Sequence, residues 1–427
     1  MIPLDICIPF PIAKEILIVE NLPGPTLTKT EKLLSNIAPF CFVNLNIKST
    51  IESFFFIFVC NLLIKNLLFI LKPMASSLSL PVKFKIRKSL IIILFIVFFY
   101  DFNNSYSSTN NIDDRGILSI MYHRFNENKY PSTNIKMDIF DQQMNLIKDL
   151  NYEFYDPKIF LNEFKNPKNK KKILITIDDG FKSFYNEAWP YLKKNKIPFI
   201  LFVSTEPVGK IGYMTWDEIK EINDSGIGYI GHHSHTHEYL IDMEESEFIK
   251  DIETATKIFK EKLGYIPPIF SYPFGEYSLF MKNYISKNFK IAFGQHSGII
   301  DRNKDKFELP RFPINEKYGE LNRFKSLINY SPLEYKSLKP EQKKLGNNDN
   351  PPKLIVEFFA EQKNIKNINC YSNDGGDWKK SDISFENQNL IIDFKQPFIP
   401  RRGRVNCSLN DNGKWRWFGT QFTVKQN

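Results

Sequence analysis

The sequence predicts an α/β protein in which a parallel sheet, closed or nearly closed into a barrel, is followed by a small antiparallel β-domain of the sandwich type. Three observations lead to this fold class. Short β-branched or aromatic runs alternate with amphipathic stretches in 109–330, which is typical of parallel β-α repeats. The interval 331–352 is polar and punctuated by Pro, Gly and Asn, as in a linker. Strand-like runs separated by turn residues occupy 353–427.

Six strands and four helices are predicted in the alternating part. The strand candidates, each rich in β-branched or aromatic residues, are 117–123, 172–178, 198–204, 229–235, 269–274 and 291–296. The helix candidates, each with apolar residues three and four positions apart, are 140–150, 184–195, 216–226 and 244–264. Because the active groups of such barrels gather at the carboxyl ends of the strands, we expect the chemistry in the loops that follow them.

The C-terminal strands are separated by clear turn signals. The segments 373–376 and 410–413 read Asn-Asp-Gly-Gly and Asn-Asp-Asn-Gly, which favour tight turns between antiparallel strands. In the last strand Trp415 and Trp417 alternate with Lys414 and Arg416, so one face could hold aromatic rings and the other charges. Such a face suits either glycan binding or packing on the barrel.

An export signal is predicted near residue 90. The unbroken apolar run 89–100 follows four Lys and Arg residues within 83–88 and precedes small polar residues. Because the run is shorter than the roughly 18 to 20 residues of a membrane span, a cleaved signal peptide is favoured, with an uncleaved anchor as the alternative. We therefore expect an exported protein of the periplasm, cell envelope or extracellular space, with membrane contact only through this segment.

The position of this signal points to a late start of translation. If translation begins at Met74, the segment 74–108 is the signal peptide or anchor, and 1–73 is an upstream extension without a structural role. The alternative is that 54–71, which contains one Lys, forms a first membrane segment.

Charge distribution argues against a nucleic-acid partner, and the cysteine positions predict a disulfide. The net charge is +9, but Lys and Asp or Glu residues are interleaved without a long basic stripe, so nucleic acid is not an expected partner. Of the five cysteines, only Cys370 and Cys407 lie in the predicted β-domain. In an oxidising compartment this pair is predicted to form a disulfide; two buried thiols are the alternative.

A histidine cluster follows the strand predicted at 229–235. Four of the six histidines of the chain, His232, His233, His235 and His237, lie within six residues. Imidazole is the commonest metal ligand, and two histidines one turn apart at the start of a helix can bind the same ion. The alternative is a solvated polar loop.

A carboxylate pair follows the strand predicted at 172–178. Asp178 and Asp179 precede Gly180. Since neighbouring side chains of a strand point to opposite sides, one Asp could bind a metal ion while the other, turned by the Gly, reaches a nearby water. Taken alone, Asp-Asp-Gly is also typical of a plain turn.

Together the two clusters resemble the motifs of the polysaccharide deacetylases, the carbohydrate esterase family 4 enzymes with a NodB-like domain. Thr176–Gly180 is similar to T-F-D-D-G, and His233–His237 is similar to H-[S/T]-x-x-H. The resemblance implies a distorted (β/α)7 barrel and a divalent metal ion, Zn²⁺ foremost and Co²⁺, Ni²⁺ or Fe²⁺ as alternatives. It implies Asp179, His233 and His237 as metal ligands and Asp178 as general base, with His232 and His235 as neighbours only.

The family's third motif, R-x-P-Y, is altered here. Ser271–Gly275 reads SYPFG, and Trp216-Asp217 follows the third strand; both features are similar to the branch of exported poly-N-acetylglucosamine deacetylases. In that branch the motifs are circularly rearranged, which implies His123 near the start of the domain as general acid. The rival for this role is His296.

Supporting residues also come from the resemblance. A backbone N–H near Phe274, with Tyr272 and Pro273 beside it, would stabilise the oxyanion, and aromatic rings such as Trp216, Tyr272, Phe274 and Tyr277 would offer faces to sugar rings. The alternative for each ring is core packing. Arg311 follows the last predicted strand and could orient a carboxylate; otherwise it is a surface residue.

The implied function is a metal-dependent hydrolase that removes acetyl groups from N-acetylglucosamine units of an N-acetylated extracellular or cell-envelope polysaccharide and releases acetate. A catalytically silent glycan-binding protein is one alternative, since the third motif lacks its Arg. An O-acetyl esterase acting on another glycan is the other.

Overall fold

Ten short strands lie between residues 117 and 313 of the described chain. The structure, a computed structural model, describes residues 116–163, 171–399 and 401–425. The strands are β1 (Ile117–Tyr122), β2 (Arg124–Phe125), β3 (Asn134–Ile135), β4 (Glu153–Phe154), β5 (Lys172–Ile177), β6 (Phe199–Val203), β7 (Gly228–His232), β8 (Ile269–Ser271), β9 (Ile291–Phe293) and β10 (Phe312–Pro313). Eight form one parallel sheet in the order β10-β1-β5-β6-β7-β8-β9, with β4 paired to β5. β2 and β3 pair separately.

The helices cover this sheet. Within the described ranges they are α1 (Met137–Asp149), α2 (Pro157–Glu163), α3 (Trp189–Asn195), α4 (Trp216–Asp224), α5 (Glu245–Leu263), α6 (Leu279–Asn288) and α7 (Leu321–Leu327). A π-helical turn at Phe184–Ala188 leads into α3. The start of α4 is stabilised by a capping box in which Thr215 and Glu218 exchange side-chain and backbone hydrogen bonds. None of these helices is both long and apolar enough to cross a membrane.

The six predicted strands are present, but three of them end three residues earlier than predicted. The strand predicted over 229–235 ends at His232. The strand predicted over 269–274 ends at Ser271, because Pro273 has no N–H to donate and the chain turns into a 3₁₀ helix at Pro273–Gly275. The strand predicted over 291–296 ends at Phe293.

The sheet curls until its two edges are linked by the segment before β10. In this segment Leu309 exchanges backbone hydrogen bonds with β9 and the residue after it, and the N–H of Arg311 donates to the carbonyl of His296. The next two residues form β10, which pairs with β1. The curled parallel sheet is consistent with the barrel of the NodB type, and it brings the ends of β1, β5, β7 and β8 to one mouth.

Both faces of the sheet are buried, as is usual for a parallel sheet. Leu118, Ile120 and Ile175 pack under the helices in one apolar cluster. Alternate residues, including Leu174 and Phe202, form a second cluster inside the curl. This inner cluster is the apolar floor on which the polar residues of the mouth lie.

The C-terminal β-region (331–425) consists of two sheets that share one apolar core. Its strands are β11 (Ser331–Pro332), β12 (Tyr335–Lys339), β13 (Lys344–Leu345), β14 (Leu354–Phe358), β15 (Asn369–Ser372), β16 (Lys379–Lys380), β17 (Asp382–Glu386), β18 (Asn389–Asp393), β19 (Arg402–Asp411) and β20 (Lys414–Val424). One sheet has the order β11-β20-β19-β15-β16 with β13 on β20, and the other has the order β12-β14-β18-β17. The pairing is antiparallel except that β11 and β13 run parallel to β20.

The predicted linker at 331–352 is wrong. This interval contains β11, β12 and β13, and it buries Leu333, Leu338 and Leu345 in the C-terminal core. The polar composition arises because each short strand buries only one or two side chains and exposes the rest. Together with 353–425, the interval builds both C-terminal sheets.

Two predicted features of the C-terminal β-region are present. β19 and β20 are joined by a two-residue turn in which Asn412 and Gly413 both have positive φ, 53° and 87°, as in a type I′ hairpin. Cys370 lies opposite Cys407 in the pairing of β15 with β19, and the structure joins the two in a disulfide.

The C-terminal β-region packs on the barrel through β20. The Trp417 ring stacks on Tyr330 at 5.3 Å with an interplanar angle of 4°, and its Nε1 donates to Ser297 Oγ. Trp415 remains exposed, whereas Arg416, on the opposite face of the strand, is buried. The predicted signal or anchor (74–108) and the upstream extension (1–73) lie outside the described residues.

Candidate active site

Two carboxylates follow β5 at the mouth of the curled sheet. The N–H of Asp178 donates to the carbonyl of Tyr122 at 2.9 Å, which extends the pairing with β1 by one residue. Asp179 and Gly180 then both adopt positive φ, 75° and 70°, in a region that residues other than glycine rarely occupy. This turn gives the neighbouring carboxylates different surroundings: the side chain of Asp178 is fully buried, and that of Asp179 is 13% exposed.

Arg311 binds Asp178 with both ends of its guanidinium group. Nη1 donates to Oδ1 at 2.6 Å, and Nη2 donates to Oδ2 at 2.9 Å. Its three remaining N–H groups donate to Thr176 Oγ1, the Gly294 carbonyl and Ser271 Oγ. The side chain is fully buried, so the alternative of a surface arginine is wrong.

The histidines His233 and His237 lie in a loop. β7 ends at His232, so the interpretation that the pair enters a helix is wrong. Ser234 and His237 adopt positive φ, 72° and 57°, and Ser234 Oγ accepts the N–H of His237. This tight turn brings the rings of His233 and His237 to 4.9 Å between centroids.

Asp179, His233 and His237 converge at the mouth. One potential ligand atom from each lies within 4.8 Å of the other two. Oδ1 of Asp179 is 3.0 Å from Nε2 of His237 and 3.4 Å from Nε2 of His233. One carboxylate and two imidazoles suit Zn²⁺, and three protein ligands keep a coordination position open.

The protonation of His233 is set by a hydrogen bond on the far side of its ring. Nδ1 lies 2.7 Å from the carbonyl of Ser271, which can only accept, so Nδ1 carries the proton and Nε2 has a free lone pair. Neither this Nε2 nor Oδ1 of Asp179 has a hydrogen-bond partner, although both are buried. Two buried acceptors that face each other are costly, and a cation between them removes the cost. The residues therefore fit a divalent metal ion.

The charges of the site keep both aspartates ionised. Burial raises the pKa of Asp178, but the adjacent Arg311 and His233 outweigh it and hold that pKa below its usual value. Burial likewise raises the pKa of Asp179, but His237 and His233 outweigh it and hold that pKa well below its usual value. At neutral pH one carboxylate is thus available to accept a proton and the other to bind a cation.

His123 directly follows β1, beside Asp178. Burial lowers the pKa of His123, while the charges of Asp179 and Asp178 raise it in part. For the rival His296, burial lowers the pKa to about 4, and the carboxylate that opposes this lowering is Glu308. Both aspartates of the site therefore act on the pKa of His123, whereas the carboxylate that acts on the pKa of His296 is Glu308.

The other two histidines of the cluster contact residues outside the Asp179, His233 and His237 group. His232 is buried against Phe259, Phe270 and Phe289, and burial lowers its pKa to about 3. Nδ1 of His235 bonds with Thr205 Oγ1 at 2.8 Å.

The predicted aromatic residues divide into buried and accessible ones. Tyr272 is fully buried and stacks on Tyr277, which is 3% exposed, so neither ring can offer a face to a sugar. Phe274 is partly exposed, and its ring lies 4.8 Å from that of His237. Pro273 is buried in the same turn.

The Trp-Asp pair at the start of α4 is placed differently. Trp216 packs edge-on against Phe259 at 5.9 Å between centroids, and Asp217 is exposed in the first turn of the helix. These contacts give Trp216 a packing role. Among the residues that the structure describes, no contact connects Asp217 to Asp179, His233 or His237.

Two positioning residues were missed in the sequence. Ser271 binds His233 through its carbonyl and Arg311 through its Oγ. The carboxylate of Asp251 accepts the backbone N–H groups of His235 and Thr236 and so holds the histidine loop. Asp251 could have been found, because it stands on the apolar stripe of α5, where an acid needs a partner.

Comparisons with known proteins agree with the motifs. Residues 165–289 match the polysaccharide deacetylase family. The chain is 28% identical over 162 residues to YxkH of Bacillus subtilis, whose name describes it as a polysaccharide deacetylase. This match covers 37% of this chain and 57% of the relative. The chain is 26% identical over 192 residues to the poly-beta-1,6-N-acetyl-D-glucosamine N-deacetylase of Staphylococcus aureus, covering 42% of this chain and 66% of the relative.

Two solved structures are also similar. IcaB from Ammonifex degensii is 25% identical with a TM-score of 0.45, covering 51% of this chain and 98% of that one. The deacetylase PplD of Streptococcus pyogenes, in complex with acetate, is 24% identical with a TM-score of 0.44, covering 47% and 93%. The segment matched by the family model contains the Asp178-Asp179 and His233–His237 motifs, and the chain therefore carries a NodB-like polysaccharide deacetylase domain.

Proposed function

We propose that this protein is a metal-dependent deacetylase that removes acetyl groups from N-acetylglucosamine units of a polysaccharide. The observation that carries the proposal is the convergence of Asp179, His233 and His237, with two buried acceptor atoms left unpaired. Asp178 and His123 lie beside this cluster. In this assignment the three converging residues are the metal ligands, Asp178 is the general base and His123 is the general acid.

The metal ion is proposed to be Zn²⁺, with Co²⁺, Ni²⁺ or Fe²⁺ as alternatives, because one carboxylate and two imidazoles suit all of them. When bound, such an ion supplies a Lewis acid that polarises the acetyl carbonyl and lowers the pKa of water. The Nδ1 bond to Ser271 keeps His233 in the tautomer whose Nε2 would bind the ion.

Asp178 removes a proton from the water that attacks the acetyl carbon. Its pKa is held below the usual value by Arg311 and His233 against the effect of burial, so it enters the reaction as a carboxylate. Arg311 also fixes the orientation of both Asp178 oxygens. A backbone N–H near Phe274 stabilises the oxyanion, which the position of the Phe274 ring beside His237 supports.

His123 gives its proton to the amine as the C–N bond breaks. The products are acetate and a glucosamine unit, whose amine becomes cationic near neutral pH. The position of His123 directly after β1, where the charges of both aspartates raise its pKa, supports this role over that of His296.

The substrate is proposed to be a poly-N-acetylglucosamine of the cell envelope or extracellular space, in line with the name of the Staphylococcus aureus relative. The disulfide between Cys370 and Cys407 supports an oxidising compartment. Since the chain spans 57% and 66% of the relatives' lengths, both statements are proposals for this chain.

The main argument for a catalytically silent protein does not apply to this chain. It relied on the missing Arg of the third motif, but an arginine contributed by another segment, Arg311, binds Asp178. An O-acetyl esterase would use the same residues, so only a choice of substrates separates it from an amidase.

The test is acetate release from β-1,6- and β-1,4-linked N-acetylglucosamine oligomers, with acetylxylan as the ester substrate, after loading with Zn²⁺ or Co²⁺. We expect acetate from the amide substrates and its loss in Asp178→Asn. Glycan binding without acetate would support the silent protein, and acetate from acetylxylan alone would support the esterase.

Metal content is measured in parallel in His233→Ala, His237→Ala and His235→Ala. The last variant is the matched control, because His235 lies in the same loop but bonds to Thr205. We expect about one ion per chain in the wild type and the control and none in the other two. Equal metal content in all four proteins would contradict the assignment.

A further inference from the structure

The turn that follows β8 contains a strained residue beside the proposed metal ligand His237. Phe274 has φ 58° and ψ 3°, a left-handed conformation that is unfavourable for a residue with a bulky side chain. Such strain costs about 1–3 kcal/mol and persists only when the surroundings hold it. The Phe274 ring packs against His237 at 4.8 Å and Tyr239 at 4.4 Å between centroids.

Part of what holds this turn comes from β20 of the C-terminal β-region. The side-chain amide of Gln421 lies 3.4 Å from the carbonyl of Phe274 and 3.3 Å from that of Gly275, and donates to both. These two carbonyls belong to the residues with positive φ, 58° and 69°. The barrel mouth is therefore bonded directly to a strand almost 150 residues away along the chain.

The stronger link is a group of charged residues that we call the clamp: Glu276, Arg401 and Arg402. Glu276 follows the Phe274 turn and is 2% exposed. Its Oε2 accepts from Nη2 of Arg401 at 2.8 Å, and its Oε1 accepts from Nε of Arg402 at 2.8 Å. A carboxylate buried to this extent requires such partners.

The clamp also reaches the loop that carries the histidine ligands. Nη1 of Arg401 pairs with Asp242 at 2.8 Å, and its guanidinium lies over the Tyr239 ring at 3.8 Å. The guanidinium of Arg402 lies over the Phe274 ring at 5.1 Å. Arg402 at the start of β19 and Arg401 directly before it thus contact both the loop after β7 and the turn after β8.

We propose that Glu276, Arg401 and Arg402 are positioning residues, through which the C-terminal β-region holds the Phe274 turn and the His237 loop in their active arrangement. This inference rests on the proposed deacetylase function. Without the clamp, Phe274 relaxes toward a negative φ, and its ring and backbone N–H move away from His237 and the reacting carbonyl. The C-terminal β-region is then a working part of the active site.

The test compares Glu276→Gln, Arg402→Met and Arg402→Lys with Asp411→Asn. The control weakens another Arg–carboxylate pair of the C-terminal β-region, Arg416 with Asp411, which does not include the turn. We expect kcat for acetate release to fall about 10- to 100-fold in Glu276→Gln and Arg402→Met, because misplacement by about 1 Å can cost that much. KM should change little, Arg402→Lys should recover part of kcat, and Asp411→Asn should keep the wild-type kcat.

Hydrogen exchange of the peptide around 272–277 provides a readout independent of activity. It should be faster in Glu276→Gln and Arg402→Met than in the wild type and in Asp411→Asn. Arg402→Met decides the matter if Glu276→Gln does not fold, since Arg402 is 28% exposed. Wild-type kcat and wild-type exchange in Arg402→Met overturn the inference. A wild type that releases no acetate overturns the proposed function instead, while the exchange experiment still tests the clamp.

Discussion

The barrel mouth and the clamp both bury charged residues, but they differ in how these residues are paired. In the clamp, both oxygens of Glu276 accept hydrogen bonds from arginines. At the mouth, Oδ1 of Asp179 and Nε2 of His233 are buried without a hydrogen-bond partner. An unsatisfied buried polar group costs about 1–3 kcal/mol. The comparison teaches that the paired charges of the clamp connect parts of the fold, whereas the two unpaired acceptors of the mouth face each other at the proposed metal site.

The largest expected effect is a loss of catalytic activity at the barrel mouth. Asp179→Asn replaces the proposed carboxylate ligand by a neutral amide, so activity should fall by about 1,000-fold or more and bound metal should be lost. Acetate release and bound metal are measured beside thermal unfolding in the presence of a chelator. A variant that keeps wild-type activity and wild-type metal content would show that Asp179 is not a metal ligand.

The next effect tests the paired half of the mouth. Arg311→Met removes one partner of a fully buried ion pair and leaves Asp178 without it, so we expect a loss of about 3–5 kcal/mol in the free energy of unfolding. Urea denaturation measures the loss. The double variant Arg311→Met with Asp178→Asn should regain part of it, and no recovery would mean that the loss comes from packing instead of the unpaired charge.

A comparable loss should follow when the C-terminal β-region loses its covalent link. Cys370 and Cys407 close a loop with a sequence separation of 37 residues, and replacing both by Ser should lower the free energy of unfolding by about 2–4 kcal/mol. Denaturation of the oxidised protein, with and without a reductant, measures the effect. If the reductant destabilises the double variant as much as the wild type, the effect of the reductant does not come from breaking this disulfide.

The smallest predicted effect concerns a buried histidine outside the metal cluster. Burial lowers the pKa of His232 to about 3, so the unfolded chain, with a pKa near 6.5, binds a proton that the folded chain rejects. Stability is unaffected above pH 6.5 and falls as the pH decreases toward 3, by roughly 2 kcal/mol at pH 5. Urea denaturation at pH 7.5 and pH 5 measures it, and His232→Phe should lose this part of the pH dependence.

The structure bears out much of the sequence reasoning on the sheet and its motifs. The six predicted strands form a curled parallel sheet, because β-branched runs with amphipathic helices between them have few other ways to bury both faces. The three short strands in 331–352 could not be predicted, since strands that bury one or two side chains resemble polar loops in composition. Likewise, nothing in the sequence near Glu276 indicates that its partners are Arg401 and Arg402.

The sequence by itself determined the chemical inventory of the site: two carboxylates after one strand and a histidine pair after another, since these depend on residues adjacent in the chain. Tertiary structure alone decided which of them converge, that Arg311 and not a third-motif arginine binds Asp178, and that Tyr272 is buried. The physical reason is that strand ends come together only when the sheet curls, and a side chain's charge state and exposure depend on neighbours that lie far away along the chain.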